Sequence, residues 1–236
     1  MKKLILAFTL SVATLLSATA MASGPSLTLD KANNDLSDKE SLKKGFKTYI
    51  NYCLGCHQLQ YQRYNRTFTD LGIDEAEGVA NYMYTGENPG GHITNNMSEK
   101  DAASWFGSAP PDLTLEARLK SPDWIYTYLR SFYIDESRPF GVNNTVFKDV
   151  GMPHVLQDLQ GVSTKDDHGK LSPAMGGSLT AEEYDVVVRD LTNFLEYVGE
   201  PNKLERKAIG YWVLAFLFLF FILTYFLKKE FWKDVH

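Results

Sequence analysis

Apolar side chains recur at helical spacing in three segments of the chain, 41–52, 121–132 and 184–198. The positions are Leu42, Phe46, Tyr49 and Ile50 in the first, Ile125, Tyr128, Leu129 and Phe132 in the second, and Tyr184, Val187, Val188, Leu191, Phe194, Leu195 and Val198 in the third. Each stripe covers one face of a helix. The pattern predicts a mainly α domain whose core is built from these faces.

Two of these helices have recognisable starts. Ser121, Pro122 and Asp123 supply an N-cap, a proline at the first helical position and an acid in the first turn. Thr180 and Glu183 have the spacing of a capping box. In contrast, residues 70–111 and 142–173 show little sustained periodicity, and we expect long loops there. A loop of such length inside a compact domain is usually functional.

An uncharged run of nineteen residues, 209–227, lies near the C-terminus. As a helix it would be roughly 28 Å long, close to the thickness of a hydrocarbon core. Tyr211 and Trp212 stand at one margin and Tyr225 near the other, as in an interfacial aromatic belt. A buried core helix is the alternative, but hydrophobicity on all sides favours a membrane span over 208–227.

The N-terminus has the composition of a secretory signal peptide. Lys2 and Lys3 precede an uncharged, mostly apolar run at 4–16, and small residues with an A-x-A pattern follow. Cleavage before Ser23 is the favoured choice, and cleavage before Met21 is the alternative. We therefore expect a signal peptide at 1–22.

Export of the N-terminal part fixes the expected topology, because basic residues flank the span on both sides and do not decide it. The expected order is a periplasmic domain at 23–207, the span at 208–227 and a short cytoplasmic tail at 228–236. This places the chain in a bacterial inner membrane.

Composition is ordinary for a globular protein, with 44% hydrophobic and 22% charged residues. Without Lys2 and Lys3, the basic residues fall to 22 against 29 acidic ones, a formal charge of −7. This balance argues against a nucleic-acid partner, which would favour a basic face. The acidic surplus is either a solvated surface or a docking face for a basic protein.

Both cysteines of the chain lie in Cys53-Leu54-Gly55-Cys56-His57. C-x-x-C-H is the attachment signature of a c-type haem. Two thiols one helical turn apart can reach the two vinyl groups on one porphyrin edge, and the adjacent imidazole can coordinate the iron. The motif predicts one covalently attached haem c, with His57 as an iron ligand.

Three other kinds of site can contain a C-x-x-C pair. A thioredoxin-like redox pair would need a βαβ context, which the pattern lacks. A zinc site would need a second Cys/His pair, and the other histidines are scattered. A structural disulfide across so small a ring would be strained and would leave His57 unexplained.

The residues around each candidate do not decide which side chain is the second ligand of the haem iron. The candidates are Met83, Met97, Met152, Met175, His92, His154 and His168. Gly151-Met152-Pro153 fixes a non-helical loop that could hold a thioether on iron. Met175, between Pro173 and Gly176, is its main competitor.

The order of motifs resembles the cytochrome c1 family, whose members are the haem-bearing subunits of the ubiquinol–cytochrome c oxidoreductase (bc1) complex. The resemblance rests on these elements, in chain order: the signal peptide, CLGCH, Ala109-Pro110-Pro111-Asp112-Leu113-Thr114, Ala117-Arg118, Gly151-Met152-Pro153 and the single C-terminal span. The resemblance covers essentially the whole mature chain.

The resemblance implies roles for four residues. Met152 matches the family's axial methionine, so His57 and Met152 would be the metal ligands. Arg118 matches an arginine that pairs with a haem propionate, and Pro111 would pack on the haem edge. His154 stands where the family usually has a second proline, and the spacing from Asp112 to Arg118 is shorter than usual.

The function implied by the resemblance is electron relay in the respiratory chain. Electrons would come from the Rieske iron–sulfur protein and pass to cytochrome c, beside cytochrome b in the membrane. No catalytic acid or base is expected, so the chain would be an electron-transfer subunit and no catalyst on its own. The alternatives are a haem c subunit of another respiratory assembly, such as a terminal oxidase, and a membrane-anchored haem sensor.

Overall fold

The computed structural model describes residues 28–86 and 88–234 of the chain. The predicted signal peptide, 1–22, lies outside the described residues. Within them, helices joined by loops enclose the core, and three two-stranded antiparallel sheets lie along the chain. The predicted mainly α fold, with long connections and one C-terminal apolar helix, is confirmed.

The described helices and strands follow the chain in this order. The helices are α1 (Lys39–Tyr52), α2 (Tyr64–Leu71), α3 (Glu75–Tyr82), α4 (Glu99–Phe106), α5 (Glu116–Lys120), α6 (Pro122–Leu129), α7 (Gln157–Gln160), α8 (Ala181–Gly199) and α9 (Lys203–Phe231). The strands are β1 (Leu59–Arg63), β2 (His92–Ile93), β3 (Phe132–Ile134), β4 (Val142–Asn144), β5 (Gly161–Lys165) and β6 (Leu171–Gly176). The strands form three separate pairs, β1 with β2, β3 with β4 and β5 with β6.

The core centres on the packing of α1 against α8. The ring of Phe46 stacks on Tyr82 at 4.8 Å and lies 5.0 Å from Phe194, measured between centroids. A Cβ at Gly45 would lie 2.0 Å from the Asp190 carbonyl oxygen. The two helices can approach this closely only because residue 45 is glycine.

The predicted helix starts are confirmed. The Ser121 hydroxyl accepts a hydrogen bond from the Trp124 N–H at 3.2 Å. The Thr180 hydroxyl accepts from the Glu183 N–H at 3.2 Å, while the Glu183 carboxylate accepts from the Thr180 N–H at 2.9 Å. Side chains thereby satisfy amide groups that the first helical turn leaves without partners.

The expectation of loops over 70–111 and 142–173 is wrong in part. The first stretch contains α3 and α4, each of eight residues and capped by a side chain, Asp74 and Ser98 respectively. The second contains β4, α7, β5 and the first half of β6. Two-turn helices give too little periodicity to detect, and a strand depends on a partner that local pattern does not reveal.

The C-terminal helix α9 stands apart from the core. It contains the predicted span, 208–227, and extends beyond it at both ends. None of its residues is buried, and its most apolar window has a mean hydropathy of 2.2. Its length and composition are sufficient to cross a membrane.

Candidate functional site

The CLGCH segment forms a tight turn at the end of α1. Cys53 is the C-cap residue, and its N–H donates to the Tyr49 carbonyl at 2.9 Å. The Cys53 carbonyl accepts from the N–H groups of Cys56, at 3.0 Å, and His57, at 2.8 Å. These bonds fix the relative positions of the two thiols and the imidazole.

The two thiols are free, with Cys53 buried and Cys56 half-buried. Burial raises the pKa of Cys53 to about 12 and also raises the pKa of Cys56. A redox-active thiol pair needs a lowered pKa, because the thiolate is the reactive form. The thioredoxin-like alternative therefore finds no support here.

His57 is oriented by its Nδ1 atom, which lies 2.7 Å from the Pro111 carbonyl oxygen. A carbonyl only accepts, so Nδ1 carries the hydrogen and Nε2 keeps its lone pair. The side chain is 8% exposed, and burial lowers its pKa, which favours the neutral ring. A neutral imidazole with a free Nε2 and a hydrogen-bonded Nδ1 is the usual form of a metal ligand.

Pro111 thus supports the site through its backbone, while its side chain is exposed. The segment that follows it is tied to the chain beyond His57. The Leu113 N–H donates to the Gln58 carbonyl at 2.9 Å, and the Asp112 carboxylate accepts from the Gln60 N–H at 2.7 Å. The predicted packing of Pro111 on a haem edge stays a prediction.

Met152 is half-buried and packs against the main core and against a smaller cluster formed by Phe132, Val142 and Val150. The Tyr128 hydroxyl donates a hydrogen bond to its sulfur, Sδ, at 3.3 Å. The thioether is therefore held in one orientation by a side chain from α6.

The backbone before Met152 is also held in place. Asp149 has a φ of +60°, a left-handed conformation that is uncommon for a residue other than glycine. Its N–H donates to the Asn143 side-chain oxygen at 2.9 Å, and its carbonyl accepts from Arg138 at 2.7 Å. Arg138 and Asn143 come from the β3–β4 hairpin and its turn, so this hairpin shapes the Met152 loop.

Four of the six other ligand candidates lie in different settings. Met175 is 59% exposed and sits on β6, opposite Val162 of β5. His92 and His168 are exposed. His154 is buried and stacks on the Phe132 ring at 4.7 Å, with interplanar angle 6°, and burial lowers its pKa to about 4.

Arg118 is exposed on α5, and its side chain runs along the C-terminal end of α8. Its Cγ lies 3.2 Å from the position that a Cβ at Gly199 would take. A hydrogen bond from Arg206 is the main cause of the lowered pKa of Glu200, and the positive charge of Arg118 lowers this pKa further. The structure thus places Arg118 beside the last turn of α8, and its pairing with a propionate stays a prediction.

The 70–111 segment contributes to both halves of the site. The Asn95 side chain donates to the Leu54 carbonyl, inside CLGCH, at 2.8 Å. At the end of α4, the Phe106 carbonyl lies 3.3 Å from where a Cβ at Gly151 would stand. This long segment therefore braces the cysteine turn and the methionine loop.

Sequence reasoning missed several supporting residues. Tyr49, whose hydroxyl donates to the His57 carbonyl at 2.7 Å, and Tyr128 were assigned only to helix stripes. Arg138, Asn143 and Asn95 carried no motif at all. For the two tyrosines the sequence does contain one signal. A tyrosine within an apolar stripe is expected to be buried, and a buried hydroxyl needs a hydrogen-bond partner.

The donor set fits a covalently bound haem. Two free thiols occupy one turn, an imidazole presents a bare Nε2, and a thioether is held on a braced loop. No group of three or more His, Cys, Asp or Glu side chains within the described ranges is placed to hold a metal ion, so the zinc alternative has no support there.

The comparisons with known proteins agree with this donor set. The model of the cytochrome C1 family matches residues 31–235. The chain belongs to the cytochrome c1 family. It therefore has a covalently bound c-type haem as its cofactor, as the CLGCH motif predicts.

Individual relatives extend the match over the full chain. A cytochrome c1 of Allochromatium vinosum is 53% identical, with all of both chains covered. The ammonia monooxygenase gamma subunit of Nitrosomonas europaea is 45% identical over 92% of this chain and 93% of its own. A protein of Bradyrhizobium diazoefficiens named cytochrome b/c1 is 28% identical over 84% of this chain and 34% of its own.

Membership of the cytochrome c1 family defines the general role of the chain. It is a haem-carrying, membrane-anchored electron-transport subunit of a bc1 complex. The single apolar helix α9 is consistent with the anchor.

Proposed function

We propose that this chain takes electrons from the Rieske iron–sulfur protein and passes them to cytochrome c within the bc1 complex. The observation that carries the proposal is the orientation of His57. Its Nδ1 is bound to the Pro111 carbonyl, and its Nε2 is left free on the same turn that presents both thiols.

Each residue of the site has a defined task. Cys53 and Cys56 would form the thioether links, and His57 and Met152 would be the ligands of the haem iron. A c-type haem bound there supplies one-electron exchange, and thioether ligation favours a higher reduction potential than two histidines would. The protein itself contributes orientation, burial and a docking surface.

No proton transfer is required of these residues. Burial lowers the pKa of His57, which favours the neutral ring, and raises the pKa of Tyr128, which favours the protonated hydroxyl. Both directions favour the uncharged forms of these two side chains. This fits a relay in which the chain is no catalyst on its own.

The proposed neighbours are cytochrome b and the Rieske subunit. A relative that is named cytochrome b/c1 supports the first of these, since its name joins the two cytochromes. The acidic surplus of the chain supports a basic cytochrome c as the acceptor. Nothing in the charge balance favours a nucleic-acid partner.

The proposed topology follows the sequence. A signal peptide at 1–22 would export the domain at 23–207 to the periplasm, with a span at 208–227 in the bacterial inner membrane. The tail at 228–236 would then lie in the cytoplasm.

Membranes that lack the Rieske subunit test the direction of electron flow. Adding a quinol should leave this chain's haem oxidised, without the α-band of the reduced form, while dithionite should still produce that band. Full quinol-driven reduction in those membranes would contradict the proposal.

A double variant tests the attachment. Replacing Cys53 and Cys56 together with Ser should remove haem stain from the denatured chain and abolish quinol-dependent reduction of cytochrome c. The single variants serve as controls, since each keeps one thiol for attachment. Stain that survived the double change would show that haem is held elsewhere.

A further inference from the structure

Tyr128 places its hydroxyl directly on the sulfur of Met152. The oxygen lies 3.3 Å from Sδ, and the hydroxyl must be the donor, because a thioether can only accept. The sulfur of Met152 therefore has a hydrogen-bond donor directed at it from α6.

The position of this hydroxyl is fixed by packing on several sides. The Tyr128 ring stacks on Trp124, with centroids 5.0 Å apart and an interplanar angle of 9°. It meets the edge of Phe132 at 5.2 Å, and its backbone carbonyl accepts from the Asn144 side chain at 2.8 Å. A ring clamped in this way directs its hydroxyl at one point, and Met152 occupies that point.

We propose that Tyr128 is a positioning residue, whose hydroxyl orients the Met152 thioether and withdraws electron density from its sulfur. The inference rests on the proposed role of Met152 as the second axial ligand. A thioether sulfur has two lone pairs, so one can accept from Tyr128 while the other is free for a metal.

The expected consequence follows from charge. Ferric iron gains more than ferrous iron from a strongly donating ligand, because it carries the greater positive charge. A hydrogen bond to the sulfur weakens its donation and so favours the ferrous state. Removing the hydroxyl should therefore lower the reduction potential.

The test variant is Tyr128→Phe, which keeps the ring and its stacking and removes only the hydroxyl. In the complete complex, redox titration of the haem should show the reduction equilibrium constant falling by roughly threefold to tenfold, where tenfold is about 59 mV for a one-electron couple. The sulfur-to-ferric-iron absorption band should persist at a changed wavelength. A purely structural role for Tyr128 would leave both the potential and that wavelength unchanged.

Tyr126→Phe is the matched control. Tyr126 is buried on the same helix, and its ring lies under Arg130 at 4.6 Å. Two positions along a helix separate side chains by about 200° around its axis, so Tyr126 and Tyr128 lie on different faces. The loss of the Tyr126 hydroxyl should leave the potential and the sulfur band as in the wild type.

A second variant separates this inference from the proposed function. Met152→Leu should abolish the sulfur band, and if the band remained, the assigned ligand itself would be wrong. If Met152→Leu removed the band while Tyr128→Phe left potential and wavelength unchanged, Met152 would stand as the ligand and the role of Tyr128 would be overturned. A rise in potential for Tyr128→Phe would overturn it equally.

Discussion

The two proposed axial ligands are each held by one directed contact from a distant part of the chain. The Pro111 carbonyl fixes the tautomer of His57, and the Tyr128 hydroxyl meets the sulfur of Met152. Local context alone ranks Met152 and Met175 close together, since both lie beside proline and glycine. Burial separates them, because Met152 packs against two clusters and Met175 is 59% exposed on a hairpin.

A pair of leucine variants tests this difference. Met152→Leu should keep covalent haem, because Cys53 and Cys56 are untouched, but should lower the potential and allow carbon monoxide to bind. The change conserves volume, so its cost in stability should stay below about 1.5 kcal/mol. Potentiometry, carbon monoxide difference spectra and haem stain are the measurements.

Met175→Leu is the control and should resemble the wild type in all three measurements. If the two variants exchanged behaviours, the assignment of the Gly-Met-Pro loop would fail and Met175 would be the ligand.

At the scale of elements, the domain and the apolar helix are joined in a simple way. α9 follows α8 after a short turn, and none of its residues enters the hydrophobic core. The first turn of α9 is tied to the end of α8 by ion pairs of Lys203 with Glu196 and of Arg206 with Glu200. The domain therefore owes its packing to α1–α8, and the rest of α9 is free to insert in a membrane.

Stopping the chain after Lys207 should release the domain into the soluble fraction with its haem attached. This truncation keeps both ion pairs and removes the apolar run at 209–227. Fractionation after a carbonate wash, followed by haem stain, measures the result, with the full chain as the membrane-bound control. A truncated protein that stayed in the membrane would show that another segment inserts.

At the scale of the whole molecule, the acidic side chains that give the chain its negative charge differ in their surroundings. Over 66–101 acidic side chains outnumber basic ones, but the structure already uses some of them internally. Asp70 pairs with Arg66 at 2.5 Å and accepts from the Tyr197 hydroxyl at 2.7 Å. Glu75 and Glu77, in the first turn of α3, are exposed and have no ion pair within the described part of the chain.

Converting Glu75 and Glu77 to Gln should slow electron transfer to a basic cytochrome c at low salt, by roughly twofold or more. The salt dependence should flatten, because the Debye length falls from about 10 Å at 0.1 M to about 3 Å at 1 M and screens what remains. Rapid-mixing kinetics over a series of salt concentrations measures both effects, and the haem spectrum should not change.

The matched control changes the same charge elsewhere, with Glu182 and Glu205 converted to Gln. Both are exposed and lie outside 66–101. If the control slowed equally, or if the Glu75 and Glu77 variant kept its rate, these two carboxylates would only solvate the surface and would have no role in docking.

The sequence by itself determined the features that depend on near neighbours. The CLGCH spacing, the capping box of Thr180 and the uncharged run at 209–227 each act within a few residues or along one helix, so they can be recognised without a fold. The same holds for the amphipathic stripes that became α1, α6 and α8, except that the helix predicted over 121–132 ends at Leu129 and Phe132 belongs to strand β3.

Only the tertiary structure decided which residues support the site. The contacts of His57 with Pro111 and of Tyr128 with Met152 span 54 and 24 positions. The family pattern names Arg118, yet the structure places it beside Gly199. Such contacts form when separate elements pack together, and their geometry depends on the whole set of core side chains. A local pattern contains no information about that set, and so the turn carrying the thiols was predictable while the residues that orient its ligands were not.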